Sequence, residues 1–121
     1  MAIDISYDGA IATVRFARPE KMNALTLEMY EALGRAFAEI EGDDRIRVVV
    51  LAGTGDRAFC VGADLTESIP ALSSDRFDIS AWDPAHLKTG TFFKPIISAV
   101  RGLCIGAGFE IMLATDLRIA A

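Results

Sequence analysis

Histidine occurs once and cysteine twice in these 121 residues, so the chain is short of the side chains that build metal sites. His86 has no partners at the spacing of a zinc motif, and no metal is expected. Cys60 and Cys104 lie in apolar contexts without CxxC or CxxH spacing; two buried thiols are expected, although the sequence leaves a disulfide open. Basic runs are missing as well. Twelve Lys and Arg stand against 17 Asp and Glu, and the net charge of −5 is spread along the chain. Without a basic stripe to neutralise phosphates, nucleic acid is not an expected partner. No run approaches the roughly 20 apolar residues of a membrane span. The opening Met1-Ala2-Ile3-Asp4 lacks the basic region and apolar run of a signal peptide, so a cytoplasmic protein without a membrane partner is expected. What is present is globular: 52% hydrophobic residues, 24% charged, four prolines and ten glycines. That balance is far from a disordered chain and fits one modest domain.

Periodicity gives the order of elements. Ile3–Tyr7 and Ile11–Phe16 alternate apolar and polar residues around Asp8-Gly9, which predicts a β-hairpin. A polar connection, Arg18–Asn23, follows. Thr26 is placed to cap a helix carrying Leu27, Tyr30, Leu33, Phe37 and Ile40 at steps of three or four, ended near Gly42. Val48–Leu51 and Pro95–Val100 are short apolar runs of the kind found in strands covered on both faces. Residues 65–90 have no clear period and are expected to form short helices and a mobile loop. Phe109–Ala114 reads as a buried helix and Leu117–Ala120 as a final strand. The pattern is α/β with strand–helix–strand crossovers. A domain seldom ends on an apolar strand, so the fold is expected to be incomplete.

Two stretches could carry chemistry. In Ala58-Phe59-Cys60-Val61-Gly62-Ala63-Asp64-Leu65, Gly62 frees the backbone to turn, small Ala63 lets a ligand approach its N–H, and Asp64 can cap the next helix. In Gly102-Leu103-Cys104-Ile105-Gly106-Ala107-Gly108-Phe109-Glu110, a strand feeds a glycine-rich bend that opens a helix. First-turn amides have no intrahelical acceptor and carry partial positive charge, so an oxyanion would find donors there. The glycine spacing is not the dinucleotide fingerprint. Glu110, in an otherwise apolar helix, is expected to be partly desolvated and thus suited to proton transfer. Each stretch alone also fits an ordinary capped turn or a tight packing contact, and Glu110 alone also fits a charge favoured at a helix N-terminus.

Taken together and in order, the motifs resemble the crotonase superfamily of enoyl-CoA hydratases and isomerases. Arg18-Pro19-Glu20-Lys21-Met22-Asn23-Ala24-Leu25 is similar to the family's opening segment. The stretches from Ala58 and from Lys94 to Glu110 are similar to its two oxyanion-hole segments. The resemblance runs along residues 1–121 and implies the N-terminal part of a single crotonase-like domain with a ββα spiral core. It implies that the N–H groups of Ala63 and Ala107 hold a thioester oxygen, although many members have glycine in place of Ala107. It implies that Glu110 is the first of two proton-handling glutamates, the second lying beyond Ala121. For coenzyme A it implicates Lys21, Met22 and Ala24 beside the nucleotide end, and Val61, Gly62, Asp64, Leu65 and Gly106 along the ligand.

The implied activity is hydration of a 2-enoyl-CoA through an enolate. Double-bond isomerisation, a specialised hydro-lyase reaction or mere acyl-CoA binding stays open, and a small nucleotide-binding module is a remoter choice. No cofactor is implied beyond the coenzyme A of the substrate. Phe77, Trp82 and Phe92 are candidates to line an acyl pocket, or simply to pack. The family's longer chain adds helices that build trimers and hexamers, so a homo-oligomer is the implied assembly of a full-length form.

Overall fold

The structure, a computed structural model, describes residues 2–121. Ile3–Asp8 (β1) and Ile11–Phe16 (β2) form the antiparallel hairpin that the alternation predicts, with Ile3 opposite Phe16 and Asp8 opposite Ile11. This register makes Gly9-Ala10 the two-residue turn, one position later than expected. Gly9, at φ 58°, supplies the left-handed backbone such a turn requires. The amphipathic run forms Leu27–Glu41 (α1), and the Thr26 side chain accepts from the Met29 N–H at 3.1 Å. Its Met29, Tyr30, Leu33, Phe37 and Ile40 are buried in the same core as Val14, Phe16, Val49 and Leu51 of the sheet.

The chain continues through Val48–Gly53 (β3), Ala58–Cys60 (β4), Leu65–Leu72 (α2), Ile96–Val100 (β5), Leu103–Cys104 (β6), Ala107–Ala114 (α3) and Leu117–Ala120 (β7). One sheet has the order β1-β2-β3-β5-β7, parallel throughout except at the hairpin. A second, two-stranded parallel sheet pairs β4 with β6. Thus β3 and β5 are each followed by a short strand of the second sheet and then by a helix, an arrangement that carries the chain twice past the same point. The α/β reading holds. Residues 65–90 contain α2 and a short 3-10 turn at Ile79–Trp82, and α3 begins at Ala107, ahead of the expected Phe109.

Cys60 is buried and Cys104 half-buried, and both are free thiols; the expectation of two buried thiols is corrected at Cys104. Burial pushes the Cys60 thiol up to about 12, so it remains protonated. Among the described residues no helix is long and apolar enough to cross a membrane.

Candidate active site

The site begins with a buried asparagine. The connection after β2 turns through two left-handed residues, Met22 at φ 52° and Asn23 at φ 58°. Asparagine tolerates that conformation better than most residues. Its side chain is wholly buried and donates to the carbonyls of Thr54 (3.1 Å), Ala58 (2.9 Å) and Phe59 (3.2 Å), while its oxygen accepts from the Arg18 N–H at 2.9 Å. One side chain therefore pins the 18–25 connection to the turn that delivers β4. Leu25 then makes a lone parallel bridge to Ala63. The Leu25 N–H donates to Gly62 O at 2.7 Å, and the Asp64 N–H donates to Leu25 O at 2.8 Å. In such a pairing the amide between those two points the other way. The Ala63 N–H is left facing away from Leu25.

The second turn is brought against the first by the β4–β6 pair. Leu103 N–H donates to Arg57 O at 3.0 Å, and Ile105 N–H to Cys60 O at 3.1 Å. Gly62, at φ 96°, sits where the turns meet: a Cβ there would lie 3.1 Å from Ala107 N and 3.2 Å from Ile105 O. Gly106, at φ 57°, caps α3, so Ala107 is its first residue. Ala107 does not itself adopt a left-handed conformation, so its methyl group brings no backbone strain there. Among the described residues neither the Ala63 N–H nor the Ala107 N–H donates to another group.

Ala63 and Ala107 both line one cavity of about 850 Å³. Glu110 lines it from the first turn of α3, and Lys21, Ala24, Val61, Gly62, Asp64, Leu65 and Gly106 also reach it. Met22 does not: its left-handed turn places it in a separate small recess with Pro19, Asn23 and Thr54. Of the aromatic candidates only Trp82 lines the cavity; Phe77 packs edge-on against Trp82 and Phe92 against Phe37. Asp64 caps α2 by accepting from the Thr66 N–H (2.9 Å) and hydroxyl (2.6 Å), and it pairs with Arg18 Nη1 at 2.7 Å. The Thr66 hydrogen bond and then Arg18 hold its carboxyl down to about 2.

The expected desolvation of Glu110 is not what the structure provides. Its side chain is 56% exposed, because α3 turns Glu110 towards the open cavity and leaves Phe109 and Leu113 uncovered as well. What Glu110 has instead are two nitrogens facing Oε2: His86 Nδ1 at 3.4 Å and Lys88 Nζ at 3.6 Å. Sequence reasoning missed these, together with Arg18 and Tyr30 as parts of the wall. Tyr30 carried a helical-period signal that reads only as core. His86 and Lys88 lie in a stretch without period, so no local pattern marked them. Desolvation lowers the His86 pKa, partly opposed by Glu110, and burial raises that of Tyr30. No cluster of three or more His, Cys, Asp or Glu suited to a metal ion occurs among the described residues.

Comparison with known proteins gives the family. The model of the enoyl-CoA hydratase/isomerase family matches residues 6–121. The (E)-benzylidenesuccinyl-CoA hydratase of Thauera aromatica is 36% identical over 121 residues, all of this chain and 47% of that protein. The 1,2-epoxyphenylacetyl-CoA isomerase of Escherichia coli is 35% identical over 120 residues, covering 92% of this chain and 44% of that protein. A crystal structure of an enoyl-CoA hydratase/isomerase from Mycobacterium paratuberculosis superposes with a TM-score of 0.78 at 39% identity, over 99% of this chain and 45% of that one. The chain belongs to the enoyl-CoA hydratase/isomerase family, within the crotonase superfamily. It spans less than half the length of the curated relatives it matches, 42% and 47% in two of them.

Proposed function

We propose that this chain carries the thioester-polarising part of an acyl-CoA-transforming enzyme, and that the reaction is hydration of a 2-enoyl-CoA. The observation that carries the reading is the pair of unpaired amides, Ala63 and Ala107, on two turns in contact at Gly62 and opening on one cavity with Glu110. Two N–H donors aimed at a thioester oxygen stabilise the negative charge that develops there. With the oxygen so held, the carbon chain becomes electrophilic at C3. Glu110 takes a proton from water as the water oxygen bonds to C3, and the electron pair of the C2–C3 double bond passes to the thioester as an enolate. The enolate then takes that proton at C2, so that one water is added overall. Lys21, exposed and lining the cavity, would meet a phosphate of coenzyme A. Coenzyme A enters as part of the substrate, without a further cofactor. The domain reading, a cytoplasmic location and a trimeric or hexameric assembly belong to the same proposal.

Isomerisation of the double bond is the second reading. Of the three carboxylates around the cavity, Asp64 is already bound to Arg18 and Thr66, Asp83 ends the Ile79–Trp82 turn, and Glu110 alone stands on the helix that Ala107 opens. A single carboxylate suffices to move one proton from C2 or C4 and return it at the other end of the conjugated system. Both readings need the amides. The mass of the product formed from crotonyl-CoA separates them, since hydration adds one water whereas isomerisation leaves the mass unchanged. In Ala107→Pro the donor is removed at a helix position where proline is well tolerated. Turnover is expected to fall about 100- to 1000-fold, the usual loss for one oxyanion donor. Glu110→Gln should abolish proton transfer while acyl-CoA binding persists. Full activity in either variant would sink the assignment.

A further inference from the structure

Glu110 stands on an eight-residue helix with its side chain largely in solvent. Left alone, such a carboxylate samples several rotamers, and proton transfer requires one of them. Two neighbours can choose it. Lys88 is itself exposed, and its ammonium sits on a flexible stem, so it follows the carboxylate rather than fixing it. His86 is different. Only 7% of it is exposed, its backbone N–H donates to Trp82 O at 3.1 Å, and its ring lies 5.7 Å from that of Tyr30. Tyr30 in turn is stacked on Trp82 at 4.2 Å, nearly parallel. The imidazole is therefore clamped between α1 and the segment that carries it, and its Nδ1 edge meets Glu110.

We propose that His86 is the positioning residue of Glu110, its fixed Nδ1–H selecting the carboxylate orientation that serves proton transfer over the two amides. This rests on the acyl-CoA reading of the cavity. The tautomer follows from charge. A lone pair on Nδ1 would face the carboxylate anion and be repelled, so the proton sits on Nδ1. Nε2 is then a bare acceptor, and it is buried with no partner. Catalytic hydrogen bonds are commonly long before substrate binds, and a small turn of the Glu110 side chain shortens the 3.4 Å separation.

The ring's charge state matters as much as its place. Burial keeps it neutral near pH 7; Glu110 on α3 and Asp83 pull towards protonation, Lys88 against it, and the uncharged Tyr30 faces it from α1. A neutral ring directs Glu110 without neutralising it. An imidazolium would instead form an ion pair with the carboxylate and tie up the base, so the imidazole's own charge state bears on the acid limb of the pH profile.

His86 is the only histidine of the chain, so its ring signals can be followed in the whole protein by nitrogen-15 NMR without ambiguity. The expected spectrum is that of the Nδ1–H tautomer, with a midpoint below the usual histidine value that moves lower still in Glu110→Gln. An Nε2–H tautomer, or a midpoint indifferent to Glu110→Gln, overturns the pairing. For the role, His86→Leu is expected to lower kcat on crotonyl-CoA about 100-fold with KM within about twofold, as for a misplaced catalytic group. His86→Asn puts an amide N–H where Nδ1 stood; it should restore most of kcat and remove the imidazole step from the acid limb of the pH profile. An unchanged kcat in His86→Leu, or a loss confined to KM, overturns the role. If the wild-type protein turns over no enoyl-CoA, the acyl-CoA reading fails with it, whereas the ring spectra still decide the pairing.

Discussion

Asn23 illustrates how much one side chain can fix. It satisfies one carbonyl of the β3–β4 turn, two of β4 and one N–H. Asn23→Ala would leave those groups without partners, and unsatisfied buried polar groups cost about 1–3 kcal/mol. A matching fall in the urea midpoint stability is expected, with the cavity loosened because Ala63 hangs on the same connection. An unchanged midpoint would mean that water replaces the amide. Asp64 sets a pH dependence. Its folded value of about 2 lies below the ordinary 3.8, so the unfolded chain takes up the proton first as pH falls. The stability it contributes is present above about pH 4 and is lost as pH drops towards 2. Calorimetry should therefore show Tm falling through that window, and less steeply in Asp64→Asn.

At the scale of elements, α3 is seated by a glycine. A Cβ on Gly108 would run into the Cys60 carbonyl of β4, so helix and strand approach as closely as backbone allows. Gly108→Ala is expected to cost about 1–3 kcal/mol, the usual range for overpacking. It should also push Ala107 away from Ala63, so turnover falls together with Tm; a variant that loses stability but keeps full turnover would contradict this coupling. The same elements mark the limit of what the sequence could tell. The hairpin, α1, β3 and β5 were legible because their apolar residues repeat over four residues or more. β4 and β6 were not, since three and two residues carry no period and become strands only by pairing with each other. The two amide-bearing turns were legible as turns, and the resemblance pointed to their residues; that they touch at Gly62 was not. The His86–Glu110 approach depends on α1 holding a ring that lies in an aperiodic segment, a contact that no local pattern encodes. Met22 was assigned by its place in a motif, whereas the left-handed turn it occupies sends it elsewhere.

Over the whole molecule, polar and apolar surface are unevenly shared. Phe109 and Leu113 of α3, Leu117 and Ile119 of β7 and the neighbouring Ile105 are all exposed, and β7 is the open edge of the sheet. An uncovered apolar face beside an unpaired strand edge invites association. The 121-residue chain is expected to sediment as concentration-dependent assemblies, and replacing Leu117 and Ile119 with glutamate should shift it towards monomer. A wild-type chain that stays monomeric at all concentrations would contradict this. The two amides belong to this scale too, since they come together only when both sheets are formed. They also have no address in a side-chain inventory. Both positions are already alanine, so an alanine scan of this chain would pass over the very donors it was meant to find. Natural variation faces the same blindness: any residue other than proline brings the same N–H, so on the proposed reading the walls around it can be rewritten for new acyl groups while the two donors are kept.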